Sequence, residues 1–512
     1  MAITKVTGAL LGNYTGGSAD DTVVIGDGAG DAITTGTDNT FIGDNAGSAT
    51  TTASNNVAVG SSALLVNTTG ASNVAVGYEA GKDVTTGASN VLVGREVGAE
   101  ATTGSFNTAI GQQAYAAGSA SAATGSNNVA VGYGALYKAT TADSNVAIGQ
   151  YALLENTTGN SNVGIGKYAL DANTTADENV AVGYYSLSAN TTGHSNVAVG
   201  KSSLAANTTA NYNVAVGISA LAANTTGSEN TAMGSSALAA VTTGNYNIAI
   251  GDEAGASLVS GTENTFMGFL SGRYTGSADH PDYNTGVGSR SLYANTTGEK
   301  SVALGAYALA GQTTGGNNTG IGYAAGDVIT TGSTNICIGS ITDPSANNAS
   351  AQFVIGYNVT GIANDTVTIG NGSNKASLGL DGSDTSWAAT SDIRLKDNVE
   401  DSLAGLDFIN ELRPITYKWK AKKDVPSDMP EYDDGSDEPC KGTGKTNHGF
   451  VAQEVKAVID KYDSVKDGHN IWQEEDSGTQ TLAPSALMPM MVKAVQELSA
   501  EVEELKKQLE NK

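Results

Sequence analysis

Few side chains in this 512-residue sequence stand at spacings that chemistry would use. Ser391 and Lys396 place a hydroxyl five positions from an amine, but a Ser-x-x-x-x-Lys spacing alone selects no reaction. Arg273, Tyr274, His280, Pro281, Asp282 and Tyr283 form a second group, able to stack on sugar rings and bond their hydroxyls, and are a candidate receptor loop. The competing reading is an inert surface loop. Cys337 and Cys440 are too few for a disulfide framework or a zinc site and read as free thiols. Gly26-Asp27-Gly28-Ala29-Gly30-Asp31 has a faint likeness to calcium-binding β-rolls, but it occurs once and reads as a turn. No cofactor and no metal is expected.

The elements that would carry these residues are announced by composition. Glycine is 65 of 512 residues, aromatics are 6% and charged residues 15%, so the chain is rich in small residues without the polarity of a disordered one. A net charge of −26 argues against nucleic acid or an anionic membrane as partner, because phosphate binding needs clustered Lys and Arg. Residues 1–390 carry 10 Lys/Arg and 27 Asp/Glu, leaving 16 and 25 of the totals of 26 and 52 for 391–512. The denser charge of the second stretch marks a boundary near 390.

Before that boundary the sequence repeats. Asn-Val-Ala-Val-Gly at 56–60 returns at 73–77, and its closing glycine falls every 17 residues from Gly26 to Gly111, Gly132 to Gly268 and Gly288 to Gly356. The consensus, N-V-A-V-G-x-x-A-L-x-A-N-T-T-G-x-S, begins with a short strand whose valines share one face by period-2 alternation. Its glycine permits a turn, and Asn-Thr-Thr-Gly is turn chemistry. A unit this short suits one coil of a parallel β-solenoid. Twenty coils at ~4.8 Å would make a rod of roughly 95 Å. With the two valines and a leucine as the core of each coil, little is buried, and three chains side by side would cover more of an alanine-rich surface; a homotrimer is expected. Asn156, Asn173, Asn190, Asn207 and Asn224 would stack as an amide ladder. Tyr78, Tyr133, Tyr151, Tyr168, Tyr184 and Tyr185 follow the strand glycine and read as packing residues, with a glycan-binding stripe as the alternative. The repeat resembles the head repeats of trimeric autotransporter adhesins, whose units are usually shorter, and similar arrays in phage fibres.

After Asp381 the repeat stops. S-D-x-R-x-K at 391–396, L-R-P-I-T-Y-K-W at 412–419 and H-G-F-V-A-Q-E-V at 448–455 follow in order. Apolar residues then stand at Met488, Met491, Val495, Leu498, Val502, Leu505 and Leu509, in steps of three and four that make the a/d seam of a coiled coil. This ordered set resembles the intramolecular chaperone of phage tailspikes and fibres, the peptidase S74 family, over about 120 residues. The resemblance implies a trimerising domain that folds the preceding fibre and is often released by cutting itself off. It implies Ser391 as nucleophile, Lys396 as its base and Thr390–Ser391 as the bond cut, with Asp392, Arg394, His448 and Gln453 in the assembly motif. A neutral lysine can act as a base where burial or nearby cations lower its pKa.

The expected fold is therefore mainly β: a parallel β-solenoid shaft, homotrimeric, followed by a small α+β chaperone domain that ends in a trimeric coiled coil. Its divisions are an N-terminal segment at 1–25, a shaft at 26–370, a linker at 371–390 and a chaperone at 391–512 with the coiled coil at 487–510. The function this implies is that of a bacteriophage tail fibre, borne on the virion and made in a host cytoplasm. Its partners would be a host surface glycan or outer-membrane component and other tail proteins at the N-terminus, with no nucleic acid and no membrane insertion. Whether it is an enzyme is left open beyond single-turnover self-cleavage. A cell-surface trimeric adhesin would be expected to show a secretion signal and a membrane barrel, and the sequence displays neither. A polysaccharide-degrading tailspike would need paired carboxylates in a groove, and no such pair stands out.

Overall fold

The computed structural model describes residues 21–118, 122–274, 281–380, 388–389, 397, 399–427, 429, 431–442, 444–466, 471–474 and 479–511. The chain divides into two compact units, 1–390 and 391–512.

The first unit is a parallel β-solenoid. Among the described residues, nineteen three-residue strands run from Val23–Ile25 to Ile336–Ile338 and are followed by Gln352–Tyr357 and Thr366–Asn371. Each pairs in parallel with the next and in register, Val57 on Val74 and Ala58 on Ala75. The register survives both irregular spacings, because Thr108 pairs with Val129 and Thr265 with Thr285. Glycine closes every strand for a steric reason. Gly60 has φ +139°, and a Cβ there would lie 2.3 Å from the Gly77 carbonyl oxygen of the next coil. Asn374–Gly379 turns back antiparallel on Thr366–Asn371, and Ala388–Ala389 pairs antiparallel with it. Part of the expected linker is thus sheet, and it covers the last parallel edge.

The core is the reverse of the one expected. Ala58 and Ala75 are fully buried, whereas Val57 and Val59 are half-buried on the outer face. Where the returning segment brings Ala63 and Leu64 inward to the same space, only a small residue fits on the strand opposite. The outer face is consequently a continuous column of Val, Ile and Thr, not of alanine.

Polar side chains lock the coils to one another. The asparagine that stands ahead of most strands is buried. The Asn73 amide N–H donates to Asn56 Oδ1 at 2.9 Å, its side chain donates to the Gly87 carbonyl at 2.9 Å, and its Oδ1 accepts the Asn90 N–H at 3.0 Å. Sliding one coil along its neighbour by a single residue breaks all three bonds, and buried amides left unpaired cost about 1–3 kcal/mol each. The ladder runs on through Asn107 to Asn128 and Asn264 to Asn284, each at 3.0 Å. The expected second ladder is also formed: Asn173, Asn190, Asn207 and Asn224 each donate to the asparagine before, at 2.9–3.0 Å.

The second unit is small and α+β. Helix α1 is Leu406–Glu411, α2 Ala452–Ile459, α3 Asp463–Lys466 and α4 Met488–Glu510. Ile415–Tyr417 pairs antiparallel with Asn447–Gly449, and Trp472–Glu474 with Gln480–Leu482. Phe408 of α1 and Val455, Val458 and Ile459 of α2 share a core with Leu412, Ile471 and Leu487. The Glu497 carboxylate of α4 accepts the Leu406 N–H at 2.7 Å, so α4 caps α1 and is held against it through its first half.

Candidate assembly and processing site

The strand Asn447–Gly449 presents His448 to solvent opposite Thr416. An open groove of about 550 Å³ runs beside it, lined by Pro414, Ile415, His448, Gly449, Phe450 and Pro484. Gln453 lies exposed in the first turn of α2, one turn beyond the strand. Its neighbour Glu454 grips Arg413 through two bonds, one from Nε at 2.9 Å and one from Nη2. That fork ties L-R-P-I-T-Y to H-G-F-V-A-Q-E, so two of the sequence motifs meet on one face. Lys461 and Tyr462 bond Glu411 at 2.6 and 3.0 Å, and the lysine first, then the tyrosine, holds the Glu411 carboxyl below its usual range.

Residues 391–463 match the Peptidase_S74 family, the chaperone of endosialidase. No curated protein and no solved structure matches the chain. An S74 domain behind a β-solenoid shaft is consistent with a tail fibre or tailspike that carries a C-terminal chaperone. Within the S74 match, Ser391, Asp392, Arg394 and Lys396, together with Thr390 before it, lie outside the described residues. Helix α4 follows the match and leaves Met491, Val495, Leu498, Val502, Leu505 and Leu509 exposed along one stripe. No helix among the described residues is long and apolar enough to cross a membrane.

On the shaft, Arg273, Tyr274 and Tyr283 of the candidate receptor loop are among the described residues. Arg273 pairs with Glu253 at 2.6 Å and lies over the Tyr274 ring at 4.9 Å. Tyr274 meets the Tyr293 ring edge-on at 4.9 Å. These contacts follow the exit of a strand, whereas Tyr283 stands exposed at the entry to the next, and His280 lies outside the described residues. Of the tyrosines after the strand glycine, Tyr151 stacks on Tyr168 at 5.6 Å and Tyr168 on Tyr185 at 4.8 Å, whereas Tyr78, Tyr133 and Tyr184 are exposed.

Sequence reasoning missed the carboxyls that the coils bury. Burial, and then the charge of Asp327, pushes the Asp343 carboxyl up to about 6, and burial alone is the leading cause at Asp171, also about 6. Asp327 and Asp343 are 16 residues apart, close to the repeat length, which was the available signal that they meet on neighbouring coils.

Proposed function

We propose that the chain is a bacteriophage tail-fibre protein: its solenoid shaft is folded as a homotrimer by the S74 domain, which then severs itself at Thr390–Ser391. The observation that carries this reading is the S74 match beginning at 391, where the second compact unit also begins. Two features favour three chains. The shaft's outer face is a column in register of mainly Val, Ile and Thr, and α4 carries an open apolar seam with three- and four-residue spacing. A uniform repeat also needs one end held in register, since slipping by a coil restores most local pairings. In this reading Ser391 is the nucleophile and Lys396 its base, with His448, Gln453, Asp392 and Arg394 serving the assembly motif. The shaft, on the virion, contacts a host surface glycan or outer-membrane component, and other tail proteins hold its N-terminus.

The test is intact-mass and native mass spectrometry of freshly purified chain beside Ser391→Ala. A wild-type product ending at Thr390, absent from the variant and trimeric in the native spectrum, is the expected result. Uncut trimers from both would remove the self-cleavage, and stable monomers would remove the fibre.

A further inference from the structure

The residue just ahead of each buried asparagine that leads into a strand stands at left-handed φ, and in five successive coils it alternates between an aromatic and an acid. These are Tyr212, Glu229, Tyr246, Glu263 and Tyr283, with φ between 57° and 61°. All five are exposed, and the tyrosines are 57, 53 and 51% exposed. Each is anchored by its own backbone: its N–H donates to a carbonyl of the preceding coil at 3.1–3.2 Å, Tyr246 to Ser228 for example. Neighbours in the column are therefore one coil apart, about 4.8 Å, and successive tyrosines about 9.6 Å. The pairing of Thr265 with Thr285 keeps that interval through the longer spacing before Tyr283.

We propose that this column binds an extended, neutral, β-linked polysaccharide strand running along the shaft. One hexose of such a chain spans about one coil, and in a chain whose rings alternate in facing, every second ring offers the same face. Three tyrosines two coils apart meet those faces, since a tyrosine ring combines an apolar body with a polar tip. The carboxylates between them accept hydroxyl hydrogen bonds from the alternate rings. The same carboxylates, on a chain of net charge −26, disfavour an acidic polysaccharide. The Tyr151, Tyr168 and Tyr185 rings differ in stacking on one another, which occupies the faces a sugar would use. At the column's upstream end the His194 ring meets Tyr212 edge-on at 5.0 Å and supports its first platform. This site deepens the adhesion reading above and rests on it.

The experiment titrates cellohexaose into the full-length Ser391→Ala chain by calorimetry, with a uronic-acid hexamer of equal length as comparison. The variant replaces Tyr212, Tyr246 and Tyr283 by serine, the residue that occupies the same column and backbone conformation at Ser144, Ser161 and Ser195. A second variant, Glu229→Ala with Glu263→Ala, removes the acids and leaves the platforms. Expected are saturable cellohexaose binding, at least tenfold weakening in each variant, no change in Phe106→Ala, and no binding of the uronate. Absence of saturable binding, equal binding by the serine variant, or preference for the uronate would overturn the site. Native mass spectrometry of the same samples reads the fibre architecture separately: trimers that bind no sugar sink only this proposal, whereas monomers sink the reading on which it rests.

Discussion

Phe266 and Gly272 share one volume. The inward position of a coil holds alanine where leucine stands six residues later, as in Ala58 with Leu64. Where phenylalanine takes that position, glycine follows, and a Cβ on Gly272 would lie 2.5 Å from the Phe266 ring. Phe41 with Gly47 and Leu92 with Gly98 repeat the exchange, at 2.7 and 2.9 Å.

The exchange predicts a rescue. Phe266→Ala opens a cavity and costs about 3–5 kcal/mol, and Gly272→Leu overpacks the coil and costs about 1–3 kcal/mol or more. Combined they recreate the Ala/Leu coil, and leucine accepts the backbone there, since Leu64 has φ 50°. The double variant should recover most of the loss in thermal melting; additive losses would mean that the two positions do not share a space.

Much of the shaft was legible because its signal is periodic. The closing glycines set the coil length, and Asn156 to Asn224 announced a ladder by spacing alone. The direction of the strand faces was not legible. Val-Ala-Val alternation separates two faces without saying which is inside, and hydrophobicity favoured valine; the leucine of the returning segment, which fills the space opposite, decided for alanine. The asparagine ahead of each strand was read as part of the strand, and its bonds to the coils before and after depend on stacking that no local pattern reveals. In the second unit, the motif order announced the domain, whereas the fork between Arg413 and Glu454 joins residues 41 apart and needed coordinates.

Asn213 tests the first ladder. Its Oδ1 accepts the Asn230 N–H at 3.0 Å and its side chain donates to the Gly227 carbonyl at 2.9 Å. Asn213→Ala leaves both groups unpaired, a loss of about 2–6 kcal/mol from two buried groups. Asn213→Asp also sets a charge against a carbonyl, so it should be the worse variant at pH 7. Because that buried acid would hold its proton more tightly when folded, the difference should shrink on acidification. A difference independent of pH in calorimetric melting would count against the ladder geometry.

The two units should answer pH in opposite ways. Asp171 and Asp343 titrate at about 6 in the folded shaft, mainly through burial, against about 3.9 in an unfolded chain. Folded shaft therefore binds more protons between about pH 4 and 6, and stability falls as pH rises through that window. In the second unit Glu411, Glu431, Glu438, Glu454 and Asp463 lie below their usual values, each chiefly through a lysine or arginine. Their stabilisation is present above the unfolded pKa and is lost as pH falls below about 4, weakly and in a salt-dependent way because these pairs are exposed. Calorimetry of Ser391→Ala at pH 7, 5 and 3 should show the shaft transition rising from 7 to 5 and the other falling from 5 to 3. Asp171→Ala, which installs the residue found at the equivalent position two repeats on, Ala205, should reduce the shaft's shift.

Helix α4 carries the last prediction. Val495, Leu498 and Val502 are 65, 48 and 42% exposed in a single chain, and leaving such a stripe in water forgoes the burial that a/d residues find in partner helices. Val495→Asp with Val502→Asp puts charge at two seam layers without touching Glu497, whose carboxylate caps α1. The monomer's second unit should keep its helix content while the trimer is lost, as read by circular dichroism and light scattering. Glu497→Ala should do the converse at small scale: it removes one helix cap, costs about 1 kcal/mol, and leaves the seam and the trimer intact. If the two aspartates left association unchanged, the proposed trimer would have to be joined by the shaft alone, and α4 would have no part in setting its register.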